Sequence, residues 1–196
     1  MSCINLNNID EALSCVDQDN MGGIVPKLIY GYWDEVATWP DWPAPTSQSS
    51  LALDAAGAIT GDLVMATGKR AYTLEFSDNV GSFSISPQGE QGGISFLYSL
   101  TFISKRVRKL ILGFLNASKN RKMFFIVQDN NGVYYLMGDK RRGALLQAGD
   151  GAVTGTATTD QNQTTCVFNY VSPRALAYEG DVDDILSATN AAVPQG

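Results

Sequence analysis

The stretch Lys122-Met123-Phe124-Phe125-Ile126-Val127-Gln128-Asp129-Asn130-Asn131-Gly132-Val133-Tyr134-Tyr135-Leu136-Met137 decides the fold class. Two runs of aromatic and β-branched residues flank a polar turn that ends in Asn-Gly. Such a pair supplies the positive φ angles that a tight hairpin turn requires, so the stretch predicts a strand, a turn and a returning strand. A second unit of this kind follows: Ala152 to Thr158 leads out, Asp160-Gln161-Asn162-Gln163 turns, and Thr164 to Val171 returns. Its threonines are expected on the solvent side.

Period-two alternation recurs on the N-terminal side. Tyr72, Leu74 and Phe76 alternate with Thr73, Glu75 and Ser77, and Phe83 and Ile85 alternate with serines. Ile94, Phe96, Tyr98, Leu100 and Phe102 form a longer set. Alternation of this kind places one set of side chains on a core and the other outward. Pro87-Gln88-Gly89 and Gly92-Gly93 punctuate the sets. One helix is expected, over 104–118. Val107, Leu110, Ile111, Phe114 and Leu115 form an apolar stripe, Ser104 is a candidate N-cap, and Lys105, Arg106, Arg108 and Lys109 lie on the other side.

The remaining chain is less regular. Residues 1–22 read as an arm with a short helix starting near Asn8, and Ile24 to Val36 suits a strand. Pro40, Pro43 and Pro45, interleaved with Trp39 and Trp42, predict a long loop or extended arm over 37–60, because proline cannot donate to a sheet ladder. The expected organisation is an arm (1–22), a β domain (23–180) and an acidic, flexible tail (181–196). The fold class is mainly β, a β-rich α+β chain: an antiparallel sandwich or partly closed barrel with one flanking helix.

Composition narrows the chemistry. The 196 residues include no histidine, which removes Ser-His-Asp and Cys-His nucleophile pairs and imidazole metal sites. Cys3, Cys15 and Cys166 form no C-x-x-C pair and read as free thiols. No catalytic set, cofactor or metal site is expected. Asp181, Asp183 and Asp184 lack the glycine and distal glutamate of a calcium loop. Gly89 to Gly93 lack the Gly-Lys-Ser/Thr of a phosphate loop. Met1 to Asn20 lacks the basic start and apolar centre of a signal peptide, and no apolar run is long enough for a membrane span, so a protein made in the cytosol is expected.

Charge is unevenly placed. The net charge is −6, yet Lys105, Arg106, Arg108, Lys109, Lys119, Arg121 and Lys122 fall within nineteen residues that hold no acid. The rest of the chain carries 7 basic and 20 acidic residues. Three roles remain open for this basic segment: a face that meets the acidic body of a neighbouring copy, a solvated face, or a nucleic-acid contact. Trp39 and Trp42, with Lys105, Arg106, Arg108 and Lys109, are the candidate subunit-interface residues. As an alternative, Tyr30, Tyr32, Trp33, Trp39 and Trp42 form an aromatic platform for a carbohydrate- or capsid-binding module.

The order of segments resembles a known group. Thr73-Leu74-Glu75-Phe76-Ser77, Gln91-Gly92-Gly93-Ile94-Ser95-Phe96, the helix, Val127 to Gly138, the threonine-rich hairpin and Arg174-Ala175-Leu176-Ala177-Tyr178 together resemble the tail-tube-like and ring (connector) proteins of bacteriophages, of the kind found in crAss-like and other Bacteroidetes phages. The resemblance covers roughly residues 61–180. It implies two packed antiparallel sheets with a flanking helix, in a homo-oligomeric ring of six or twelve copies. It also implies neighbouring tail or portal-connector proteins, transient passage of double-stranded DNA through the bore, and a place in the virion tail or neck after assembly in the host cytoplasm. The arm over 37–60 is then expected to reach an adjacent subunit.

Overall fold

The computed structural model describes residues 4–9, 20–44, 50–149 and 151–186. Cys3, Cys15, most of the expected N-terminal helix and the tail beyond residue 186 lie outside them. In chain order the strands are β1 (Ile24–Tyr32), β2 (Val36–Thr38), β3 (Ala58–Ile59), β4 (Val64–Met65), β5 (Tyr72–Glu75), β6 (Gly81–Gln88), β7 (Ser95–Lys105), β8 (Met123–Asp129), β9 (Tyr134–Met137), β10 (Leu145–Leu146), β11 (Gly151–Val153), β12 (Gln163–Ser172) and β13 (Ala177–Tyr178). The helices are α1 (Leu53–Ala56), α2 (Lys109–Ser118) and α3 (Asp183–Leu186).

Six strands form one sheet in the order β3-β13-β9-β8-β1-β5. A second sheet runs β10-β12-β7-β6, with β11 also on β12, and β2 pairs β4 apart from both. All pairings are antiparallel except β13 with β3. The chain is therefore mainly β. Its sheets are open, each with two edges, so the partly closed barrel does not form. The expected hairpin is β8 and β9, in register from Phe125↔Met137 to Gln128↔Tyr134. The second unit is β11 with β12, joined by a longer loop than expected.

The main core lies between the two large sheets. Alternation works as the sequence implies: Tyr98, Leu100 and Phe102 of β7 and Cys166, Phe168 and Tyr170 of β12 point inward. They meet Leu28 of β1 and Phe125 and Val127 of β8. The Phe125 and Phe168 rings are 4.6 Å apart, and Phe102 stacks parallel to Phe168. Thr164, expected to face solvent, points into this core instead, because register with Ser104 places it on the inward set.

β8 departs from alternation. Met123, Phe124, Phe125, Ile126 and Val127 are all buried. The six-stranded sheet carries a second layer on its far face, where Ile29, Phe124, Ile126, Leu136 and Tyr178 are covered by Leu63, Met65, Ala71, Leu176 and Ile185, with Trp39 and Trp42 packed alongside. Burial of each large apolar side chain is worth about 2 kcal/mol, so both faces contribute to holding β8. Gly31 lies opposite Phe124, and a Cβ there would sit 2.6 Å from the ring.

Three expectations are corrected. The 37–60 segment is not an outward arm where it is described: β2 pairs β4, Trp39 packs edge-on to Phe124 with centroids 6.2 Å apart, and β3 joins the sheet. The tail does not begin at Asp181, since α3 buries Ile185. The helix starts at Lys109 with Arg108 as N-cap, because Ser104 belongs to β7. Arg106 then turns the chain at φ 71°, held as its backbone N–H donates to the Asn162 carbonyl at 2.7 Å.

Two outcomes test this packing. Gly31→Ala must displace Phe124, and overpacking of this kind costs about 1–3 kcal/mol, read as a lower urea midpoint with retained β signal. An unchanged midpoint would mean that β1 and β8 are not paired as described. Burial pushes the Cys166 thiol up to about 12 from 9.0. The unfolded chain then binds fewer protons than the folded chain between those values, so stability falls as pH rises from about 9 toward 12. A chain with Cys3 and Cys15 replaced by serine should show this fall, and its Cys166 should resist thiol reagents at pH 8 until it unfolds.

Candidate assembly surface

The strongest surface feature is a groove between α2 and the β5 edge of the six-stranded sheet. β7 hands the chain to α2 across the open end of the main core. Phe114 on the helix inserts there, T-shaped to Tyr30 at 5.3 Å and to Phe168 at 5.8 Å. Ile111 is buried beside it. β5 cannot close over the helix, since four residues pair only with Lys27 to Tyr30 of β1. What remains is an open groove of about 760 Å³ lined by Tyr30, Tyr72, Leu74, Leu110, Ile111 and Phe114, among others.

Its surface is apolar where water is expected. Leu110 is 82% exposed, and Tyr72 is also exposed. Leu110 belongs to the stripe read as inward, but in the first turn of α2 it lies exposed. Partial burial, with Tyr72 and Tyr32 nearby, pushes the Tyr30 phenol above its usual range.

The rim is basic. Arg108 and Lys109 line the groove, and Arg70 lies over the Tyr72 ring at 5.1 Å. Glu75 is the carboxylate in the lining. The α2 N-terminus has no acidic side chain in its first turn and no side-chain cap. Cations at that end oppose the helix dipole and leave backbone N–H groups facing outward. Among the described residues, Lys105, Arg106, Arg108 and Lys109 take part in no ion pair.

The basic segment therefore splits in two. Arg121 pairs with Asp34 at 2.8 Å and covers the Tyr32 ring, and Lys122 lies over Trp33. Those cations serve the fold. Lys105 ends β7 and Arg106 forms the turn, while Arg108 and Lys109 reach the groove. Trp39 and Trp42 stand apart from these four, half-buried in the second layer. The five aromatics of the platform reading do not share a face: Tyr30 and Tyr32 pack toward the main core, Trp39 and Trp42 toward the second layer. Trp33 donates its indole N–H to the Asp139 carbonyl at 2.6 Å.

Sequence reading missed Tyr72, Leu74 and Tyr30 as groove walls. Only the pairing of β5 with β1 brings them beside α2, and no local pattern reports that pairing.

An opposite feature lies at the other edge of the same sheet. Asp54 in α1, Asp62 after β3, and Glu179 and Asp181 after β13 are exposed, and none takes part in an ion pair among the described residues. The Asp62 carboxylate accepts the Asp181 backbone N–H at 2.9 Å, which fixes the two loops together. No group of three or more His, Cys, Asp or Glu among the described residues is placed to hold a metal ion. Among the described residues no helix is long and apolar enough to cross a membrane. Comparison with known protein families, with curated proteins and with solved structures finds no match.

The helix phase has a direct test. Leu110→Gln should leave the unfolding free energy within about 0.5 kcal/mol, as surface substitutions do. Ile111→Ala should cost about 2–5 kcal/mol. Equal losses in chemical denaturation would place Leu110 in the core and remove the groove's exposed wall.

Proposed function

We propose that this chain is a virion structural protein: a tail-tube-like subunit of a homo-oligomeric ring in a bacteriophage tail or neck, forming part of the channel for genome ejection. The observation that carries the reading is an open apolar groove, rimmed by cations that make no ion pair among the described residues, on a chain that is otherwise strongly acidic. Apolar surface of that kind marks a contact site more often than a solvated face. Two open sheets packed on one aromatic core supply a stiff wall element. The segment order that resembles phage tail-tube and ring proteins supplies the biological setting.

The electrostatics suit a conduit. A predominantly negative subunit repels phosphates, so double-stranded DNA passes without being held. Cations kept beside a groove are spent on protein contacts and not on the bore. A ring requires two different patches that fit each other across a heterologous interface, and a polarised subunit offers them.

Native mass spectrometry of the purified full chain, with electron microscopy of particles labelled through this protein, tests the reading. A discrete closed multimer, and label on the tail axis, are the expected results. A chain that stays monomeric at every concentration, alone and with tail extracts, and a label found singly off the axis, would overturn it.

A further inference from the structure

We propose that the groove beside α2 receives the acidic β3 edge of a second copy of this chain. The inference rests on the ring reading above and names the two surfaces that would build it.

Charge complementarity identifies the occupant. The groove offers Arg108 and Lys109 with no ion-pair partner among the described residues. The far edge offers Asp54, Asp62, Glu179 and Asp181, also without ion pairs. β5 and β3 are the two ends of one sheet, so opposite charges sit on opposite flanks of one rigid element. Such a molecule satisfies both flanks at once by repeating a single contact, head to tail.

The helix end strengthens the case. α2 has ten residues, a basic first turn and no cap of its own. Carboxylates arriving there meet the positive end of the helix dipole, outward-facing backbone N–H groups and two cations together. The apolar wall formed by Leu110 and Tyr72 supplies contact area that excludes water around them. Interfaces hold in this way, through an apolar centre within a charged border. The two patches lie at opposite ends of one sheet, so two rigid copies that join one pair hold the other pair apart; closure into a ring uses all of them.

Charge reversal tests the pairing. Arg108→Glu with Lys109→Glu should abolish assembly, as should Asp62→Lys with Asp181→Lys, each monitored by sedimentation and with thermal melting as the folding control. The chain carrying all four changes should regain assembly, since its acidic groove now meets a basic flank. Mixing the two double variants should also restore it. If the wild-type chain assembles and either double variant assembles equally well, this inference fails while the ring reading stands. If the wild-type chain never assembles, the ring reading itself fails. A symmetric dimer as the end state, or salt-sensitive binding of a 20-base-pair duplex that Arg108→Glu removes while assembly is untouched, would also overturn the proposal.

Discussion

Two-sided burial of β8 is the constraint on which the structure depends. Five consecutive side chains from Met123 to Val127 lose contact with water. Phe125 and Val127 need the opposing five-stranded sheet, whereas Phe124 and Ile126 need a separate cover on the far face. A simple two-sheet sandwich would leave that second pair in water, at a loss of about 2 kcal/mol for each side chain. The Trp-Pro segment, β2 with β4, and the chain from Leu176 to Ile185 exist in their observed places because they supply that cover. Gly31 follows from the same demand, since the Phe124 ring occupies the space a side chain would fill.

One buried carboxylate ties the two layers together. Asp139 is the buried charged residue among those described. Its carboxylate accepts the Tyr170 hydroxyl at 2.7 Å and the backbone N–H groups of Arg141 and Arg142. Its carbonyl takes the Trp33 indole N–H. A buried carboxyl group is tolerable only when it is hydrogen-bonded, and here three donors reach it. The result joins β12, the turn after β9 and the short helical turn after β1. Burial and the Asp139 hydrogen bond together push the Tyr170 phenol far above its usual range, which favours the hydroxyl as donor.

Much of the sheet structure was legible because alternation is a local signal. β6 and β7 follow from period two, and the β8–β9 hairpin from its aromatic and β-branched runs and one Asn-Gly turn. The errors have physical causes. Ser104 suited a helix cap, but it continues the inward set of β7, and the chain reverses only at Arg106 in a left-handed conformation that arginine seldom adopts. β3, β4 and β13 are two residues each, stabilised by neighbours and not by propensity. Prolines at 40 and 43 correctly excluded a central strand, but they carry no information on whether a loop runs outward or folds back. The candidate surface was half legible. Its cations stand out in the composition, yet Tyr30, Tyr72 and Leu110 meet only through long-range pairing.

The small number of charges has a consequence for how such a surface can act. Three ion pairs are made among the described residues, and Lys105, Arg106, Arg108 and Lys109 take part in none of them. At physiological salt, screening limits their reach to about 8 Å, so opposite flanks do not draw copies together from afar. Charge then selects orientation only in the last few ångströms, by making wrong juxtapositions costly. In the proposed ring, lasting attachment would fall to the apolar wall of the groove. That division explains why an exposed leucine and tyrosine sit beside unpaired cations. Cations without apolar surface would give a weak, salt-labile encounter, and apolar surface without cations would accept any greasy face. Together they would favour one orientation over others, which is the property the proposed closed ring needs from every one of its subunits.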